Sequence, residues 1–338
     1  MRTRIHGVVL ALAVVAAAVF AATASAGTLV PAGTGSPQTG SFVPSSNDEF
    51  PLLTEFQNGE DEASPEAYSG NILDRSLSQG TGNGVSAASG RKAKSSPLLK
   101  THFEGLNFYQ QRYARGGNQF SVEPPDQALC AGNGYVLEAV NDVLNVYNTA
   151  GQSVLPDNTA TNVVAGFPRN VNHTVDLNSF YGYPAAINRS TGADGPELTD
   201  PTCIYDAATQ RFFLVVLTLD RVGTTSALSH VNHLDLAVSQ SSNPTGSWNI
   251  YKLDVTADGS PGNTGGPCPC LGDYPHIGAD ANGIYLTTNS YPWGPGDFDG
   301  AQIYAISKAQ LVAGAASPNV VHIDTTGLVH ATSPVDQT

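Results

Sequence analysis

Three aspartates hold the same place in a repeated unit of this chain: Asp126 in PPDQALCAGNGYVLEAV, Asp200 in DPTCIYDAATQRFFLVV and Asp273 in GDYPHIGADANGIYLTT. They are spaced 74 and 73 residues apart. After each comes a short apolar segment, a polar turn and an alternating apolar run. A repeat much longer than that of a solenoid, built of strands and turns, reads as the blade of a β-propeller. The expected fold is all-β, a β-propeller of four-stranded antiparallel blades, with about three present and the ring incomplete.

Each unit resolves into four strand-like pieces. The third gives YPHIGADA, NGIYLTTNSY, AQIYAISKA and NVVHIDTT; the second gives PTCIYDA, QRFFLVVLTL, HLDLAVSQ and SWNIYKLDV. The first gives QALCAG, NGYVLEAVN and VLNVYNT, with NVVAGF (162–167) as its fourth. Alternation, with β-branched and aromatic enrichment, marks these as strands. Asn133-Gly134 and Asn282-Gly283 carry the type I′ hairpin signal at one repeat position. Only 308–314 has the makings of a helical turn. Insertions at about 168–198 and 257–271 are rich in Gly, Pro and Asn, and long loops on a rigid scaffold commonly carry binding function. Ser333–Thr338, with Asp336 in the marker position, reads as the opening of a fourth unit. An open ring exposes an apolar face and a strand edge, so the chain alone is expected to self-associate.

Arg2 and Arg4, the apolar run from Gly7 to Ala22 and the small residues Ala24-Ser25-Ala26 have the layout of a secretory signal cut after Ala26. Residues 27–100 are Ser/Gly/Pro-rich without period and read as a disordered linker, leaving 101–338 as the propeller domain. Lys and Arg number 15 against 29 Asp and Glu, a net charge of −14. That balance argues against nucleic acid and anionic membrane as partners, because both need clustered cations. A secreted, extracellular location is expected, with no membrane insertion once the signal is removed. Export also favours disulfides for the four cysteines, Cys130, Cys203, Cys268 and Cys270. Cys268-Pro-Cys270 is too tight to close easily on itself, so Cys130 or Cys203 is expected to bond to one of that pair.

The strings PPDQALCAGNGYVLEAVNDVLNVYNTAG, DPTCIYDAATQRFFLVV, AVSQSSNPTGSW and GDYPHIGADANGIYLTTN, in this order, resemble a group of large secreted bacterial β-propeller proteins distantly related to sialidase/BNR-type propellers. The resemblance covers roughly 101–338. It implies a six- or seven-bladed propeller without implying a reaction, and against it this chain reads as an N-terminal part. Sialidase-type propellers carry S-x-D-x-G-x-T-W turns. Ser242-Asn-Pro-Thr-Gly246-Ser-Trp248 is close, but Pro244 stands where the Asp belongs and the Trp comes one place early. It reads as a blade-closing turn.

Inner strands of a propeller converge near its axis, so Asp126, Asp200 and Asp273 can ring a shared mouth, raise one another's pKa and serve as acid/base groups. The competing role for each is to cap a turn, once per blade. Glu138, on an apolar strand face with Val136 and Val140, is a further candidate acid, since a carboxylate there must be paired or tuned. Arg115, Arg169, Arg189 and Arg211 are the cations available to bind a carboxylate, with Arg211 expected to pair with Asp206. Tyr183, Tyr274, His276, Tyr291 and Trp293 are candidate sugar platforms, and of these Tyr274, His276 and Trp293, together with Arg169, are taken as ligand-binding. His230-Val-Asn-His233 with Asp235 aims its rings poorly for a metal. Asp297-Phe-Asp299-Gly300 has part of a calcium-loop pattern without the third oxygen ligand or the distal Glu. No cofactor is expected, Ca2+ being the one ion with any sequence support.

Three roles fit: a secreted binding module directed at a glycan or cell-surface component, a sialidase-like glycoside hydrolase or lyase, or a structural surface component. Close carboxylates with perturbed pKa values favour the hydrolase. An aromatic mouth poor in carboxylates favours binding.

Overall fold

A computed structural model describes residues 23–37, 102–107, 110–111, 114–120, 122, 126–156, 173–188, 191–223, 225–259, 269–293 and 298–325. The described residues are almost entirely β, with short helical turns. Strand β1 (Thr23–Gly35) comes first, followed by a four-stranded meander of β2 (Gln127–Gly132), β3 (Tyr135–Val140), β4 (Val143–Asn148) and β5 (Val175–Asp176). Helix α1 (Leu177–Tyr181) and a small hairpin, β6 (Ile187–Asn188) with β7 (Ala193–Asp194), fill the first insertion. The second meander is β8 (Glu197–Asp206), β9 (Arg211–Arg221), β10 (Leu228–Ser239) and β11 (Trp248–Asp254). The third is β12 (Cys270–Ala279), β13 (Gly283–Pro292), β14 (Gly300–Ser307) and, after helix α2 (Lys308–Val312), β15 (Asn319–Asp324). The fourth strand of the first unit is thus Val175–Asp176, on Val143 and Leu144; 162–167 lies outside the described residues.

The second meander is a wall between two cores, and this explains the unbroken apolar run FFLVVL of β9. Side chains alternate across a strand. Phe212, Leu214 and Val216 pack with Leu137, Leu144 and Val146 of the first meander. Phe213, Val215 and Leu217 pack with Ile284, Leu286 and Tyr304 of the third. A strand buried on both faces needs no polar alternation. Trp248 is fully buried in the first core, its indole N–H donating to Pro244 O (2.9 Å). The Ser242–Trp248 segment therefore closes the β10–β11 hairpin.

Three sequence expectations are corrected here. Residues 23–35 are strand, so 23–26 are not the end of a cleaved signal and 27–35 are not linker: β1 pairs through Thr23–Thr28 with β15 and through Leu29–Gly35 with β11. It satisfies the outer edges of two meanders at once and joins them in a nine-stranded sheet whose end strands β12 and β8 lie side by side. Second, Asn133-Gly134 takes the left-handed conformation at both positions (φ 49° and 83°), but Asn282-Gly283 does not. There the Asp280 carboxylate accepts the N–H groups of Asn282 (2.7 Å) and Gly283 (2.8 Å), an Asx turn.

Third, Cys130 bonds to Cys203 and not to the Cys268/Cys270 pair, with Cα atoms 5.8 Å apart. The two are 73 residues apart, one repeat length. Adjacent first strands run alongside each other, so equivalent positions in neighbouring repeats meet. Cys270 is also oxidised, and Cys268 lies outside the described residues. The β2–β8 seam is tight: a Cβ on Gly132 would sit 2.1 Å from the Tyr205 ring.

Candidate functional site

The three repeat aspartates come together where the first strands begin. Asp126 precedes β2 and is pinned by Asn141: its N–H donates to Asn141 Oδ1 (3.3 Å) and its carbonyl accepts the Asn141 N–H (3.0 Å). Asp200 lies in a break in the β8–β9 register between Thr199 and Thr202, with φ at 50°. Asp273 lies beside an equivalent break in β12, between Asp273 and His276, where Tyr274 has φ at 47°. A bulge re-aims a side chain and left-handed backbone at a non-glycine residue is costly, so both breaks serve to direct these residues.

Their electrostatics are coupled. Burial, followed by a hydrogen bond with Asp126 and the charges of Asp126 and Asp273, pushes Asp200 up to about 7. Burial raises Asp273 as well, opposed by the Tyr274 N–H and reinforced by the charge of Asp126. Two carboxylates that share a hydrogen bond hold the first proton more tightly than either would alone. Asp142, unremarked in the sequence, lies directly behind. It is fully buried, accepts from Gln111 Nε2 (2.9 Å), and is driven well above the carboxylate range by burial, with Glu197, Asp176 and Asp200 adding to the effect.

A second network surrounds His233. Tyr183 Oη donates to Asp235 Oδ2 (2.9 Å) and lies 2.9 Å from His233 Nε2. Thr218 Oγ1 also donates to Asp235 Oδ2 (2.7 Å), and His233 Nδ1 faces Asp220 at 3.5 Å. Burial disfavours the imidazolium, but Asp220 and Asp235 outweigh it and hold the His233 pKa above its ordinary 6.5.

The other sequence candidates disperse. Glu138 is held by the Leu106 N–H (2.9 Å) and by Tyr147, and burial raises its pKa; it meets no arginine among the described residues. Tyr274 is exposed and edge-on to His276, ring centroids 4.7 Å apart. Trp293 stacks on His230 at 5.1 Å, while His233 is buried, so the two histidines do not converge. Tyr291 contacts Phe298. Arg115 binds Asp176 (3.3 Å). Arg211 does not pair with Asp206: it bonds Thr209 O and Gln210 O, and Lys308 takes Asp206 at 3.1 Å. Arg169, Arg189 and Asp297 lie outside the described residues. Among the described residues no group of three or more His, Cys, Asp or Glu is arranged to hold a metal ion, and no helix is long and apolar enough to cross a membrane.

The raised groups set a pH dependence. A raised Asp200 favours the neutral carboxyl in the folded chain, so its stabilisation is complete below the ordinary value of 3.8 and is lost as pH climbs to about 7. A raised His233 favours the cation, so its contribution is full below 6.5 and is lost as pH rises through the higher folded value. Both act in one direction. Thermal melts should show the midpoint falling between pH 5 and pH 8, with Asp200 contributing on the order of a few kcal/mol. D200N should flatten the lower part of that fall, and an unchanged slope would contradict the coupling.

No family model matches the chain, and no curated protein matches it. Among solved structures it is similar to a xylan β-1,4-xylosidase from Bacillus halodurans C-125, at 11% identity and TM-score 0.30, over 55% of this chain and 30% of that one. It is also similar to an exo-β-1,3-galactanase from Phanerochaete chrysosporium crystallised with galactose, at 9% identity and TM-score 0.25, over 55% and 44%. The chain spans less than half the length of either. Likenesses at this level define neither its fold nor its activity.

Proposed function

We propose that the three meanders are blades of an exported β-propeller that hydrolyses a glycan at the aspartate cluster. The blade reading is supported by the side-by-side first strands β2, β8 and β12 and by the face-to-face packing of successive meanders. Export is supported by the Cys130–Cys203 bond, since such bonds are rare in reducing compartments. The activity rests on one observation, the convergence of Asp126, Asp200 and Asp273, in which burial and the neighbouring carboxylates push Asp200 up to about 7. Asp200 donates a proton to the leaving glycosidic oxygen as the bond to the anomeric carbon breaks. Asp273 takes the proton of the attacking water or stabilises the positive charge that develops on the sugar, and Asp126 holds Asp200 protonated.

The test is release of reducing ends from a panel of polysaccharides. D200N should lower turnover by about 10²–10⁴-fold. In the wild type, turnover should fall above pH 7 as the donor is lost. Turnover unaffected by D200N would refute the assignment. The exposed Tyr274 and the His230–Trp293 stack favour a second reading, a module that binds a glycan without cleaving it. Glycan binding with no reducing ends released would support that reading instead.

A further inference from the structure

A cavity of about 980 Å3 opens between residues 184–188 and 191–196 of the first insertion and the adjoining ends of β9 and β10. Its charged lining is Arg115, Asp194, Asp220 and Arg221; Ile187 and Val231 supply apolar wall. Three of these charges are fixed from behind. Asp176 (3.3 Å) and Tyr183 O (3.3 Å) hold Arg115, while Glu197 (2.8 Å) and Ser226 O (3.0 Å) hold Arg221. His233, itself locked between Asp235 and Tyr183, backs one oxygen of Asp220, whose charge is also balanced by Lys252. Polar groups held in this way present donors and acceptors at low ordering cost.

The ligand class follows from the lining. Each guanidinium of the lining is already paired with a further acid, so the site and the chain's net charge of −14 repel anions. Among the described residues no aromatic ring lines the cavity, so a ligand is gripped through hydrogen bonds at its edges. A neutral molecule carrying several hydroxyls satisfies both donors and acceptors, and the volume lies within the range of small-molecule sites. Glu197, which holds Arg221, opens β8. Asp200 follows three residues later in the same strand.

We propose that this cavity is a subsite for a neutral sugar unit, with Asp220 and Arg115 taking its hydroxyls; this rests on the glycan-directed reading of the aspartate cluster. The test is calorimetric titration of the full chain with neutral trisaccharides of glucose, galactose and xylose, and with trigalacturonate as the acidic counterpart. The wild type should bind at least one neutral trisaccharide more tightly than trigalacturonate. D220N should weaken that binding about tenfold or more. Ala193→Leu, which fills the cavity without touching the His233 network, should do likewise. Preference for trigalacturonate, wild-type affinity in both D220N and Ala193→Leu, or no binding of any neutral trisaccharide would overturn the subsite. Reducing-end release by the wild type reports separately on the aspartate cluster, so the two readings fail independently.

Discussion

Replacing Cys130 and Cys203 together by alanine is expected to destabilise the fold by about 4 kcal/mol. The bond closes a loop of 73 residues, and restricting a loop of that length in the unfolded chain is worth about that much on the chain-entropy model. It also fastens the β2–β8 seam, where Gly132 approaches Tyr205 too closely for a side chain and no water layer can soften a shift. Urea unfolding of C130A/C203A beside the untreated wild type reads the contribution of this bond, since a reductant would also open the one at Cys270. The variant's curve should be displaced to lower urea. A displacement worth less than about 1 kcal/mol would mean that the seam is held by packing and that the bond is incidental.

Asp235→Ala should cost about 3–5 kcal/mol, the loss expected when one member of a buried charged network is removed. Asp235 has no exposed surface and serves three donors: Thr218 (2.7 Å), Tyr183 (2.9 Å) and His233 (3.2 Å). Without it an imidazolium remains buried with Asp220 as its one remaining acid partner in the network. The penalty should therefore depend on pH. At pH 5 the histidine is charged in both states and the substitution removes the full attraction; at pH 8 part of that attraction is already gone in the wild type. Denaturant titrations at both pH values should give the larger loss at pH 5. Equal losses would show that Asp235 acts only as a hydroxyl acceptor for Tyr183 and Thr218.

Much of the architecture was legible because repeat spacing and turn chemistry are local signals. The strands of the second and third meanders fall where alternation placed them, and the helical turn expected at 308–314 appears as Lys308–Val312. Equal spacing also puts the three aspartates at equivalent positions in successive units, where their charges act on one another. The same logic pairs Cys130 with Cys203, one repeat length apart, and the tightness of Cys-Pro-Cys says nothing against it. Asp142 was not recognised because its partner Gln111 lies 31 residues away in an irregular segment, and nothing local reports burial there. Asp235 was visible as a carboxylate between leucines in HLDLAV, the cue used for Glu138. Its meaning depended on Tyr183, brought from 52 residues away by the α1 insertion. The role of residues 27–35 was hidden for a different reason: TLVPAGTG has no strong period, and its strand conformation is imposed by the two edges it meets.

That strand also constrains the order of events during folding. Its ladder joins residues near 30 to partners near 250 and 320, so each pairing closes a loop of more than 200 residues. Contacts so remote in sequence form slowly, because the entropy of closure must be met before the ladder contributes anything. During synthesis β1 emerges first and waits until β11 and then β15 exist, so it docks late, after the meanders it joins. Until then two outer edges stand open, and the interval between their appearance and the arrival of β1 is when the chain is most exposed to pairing with another copy.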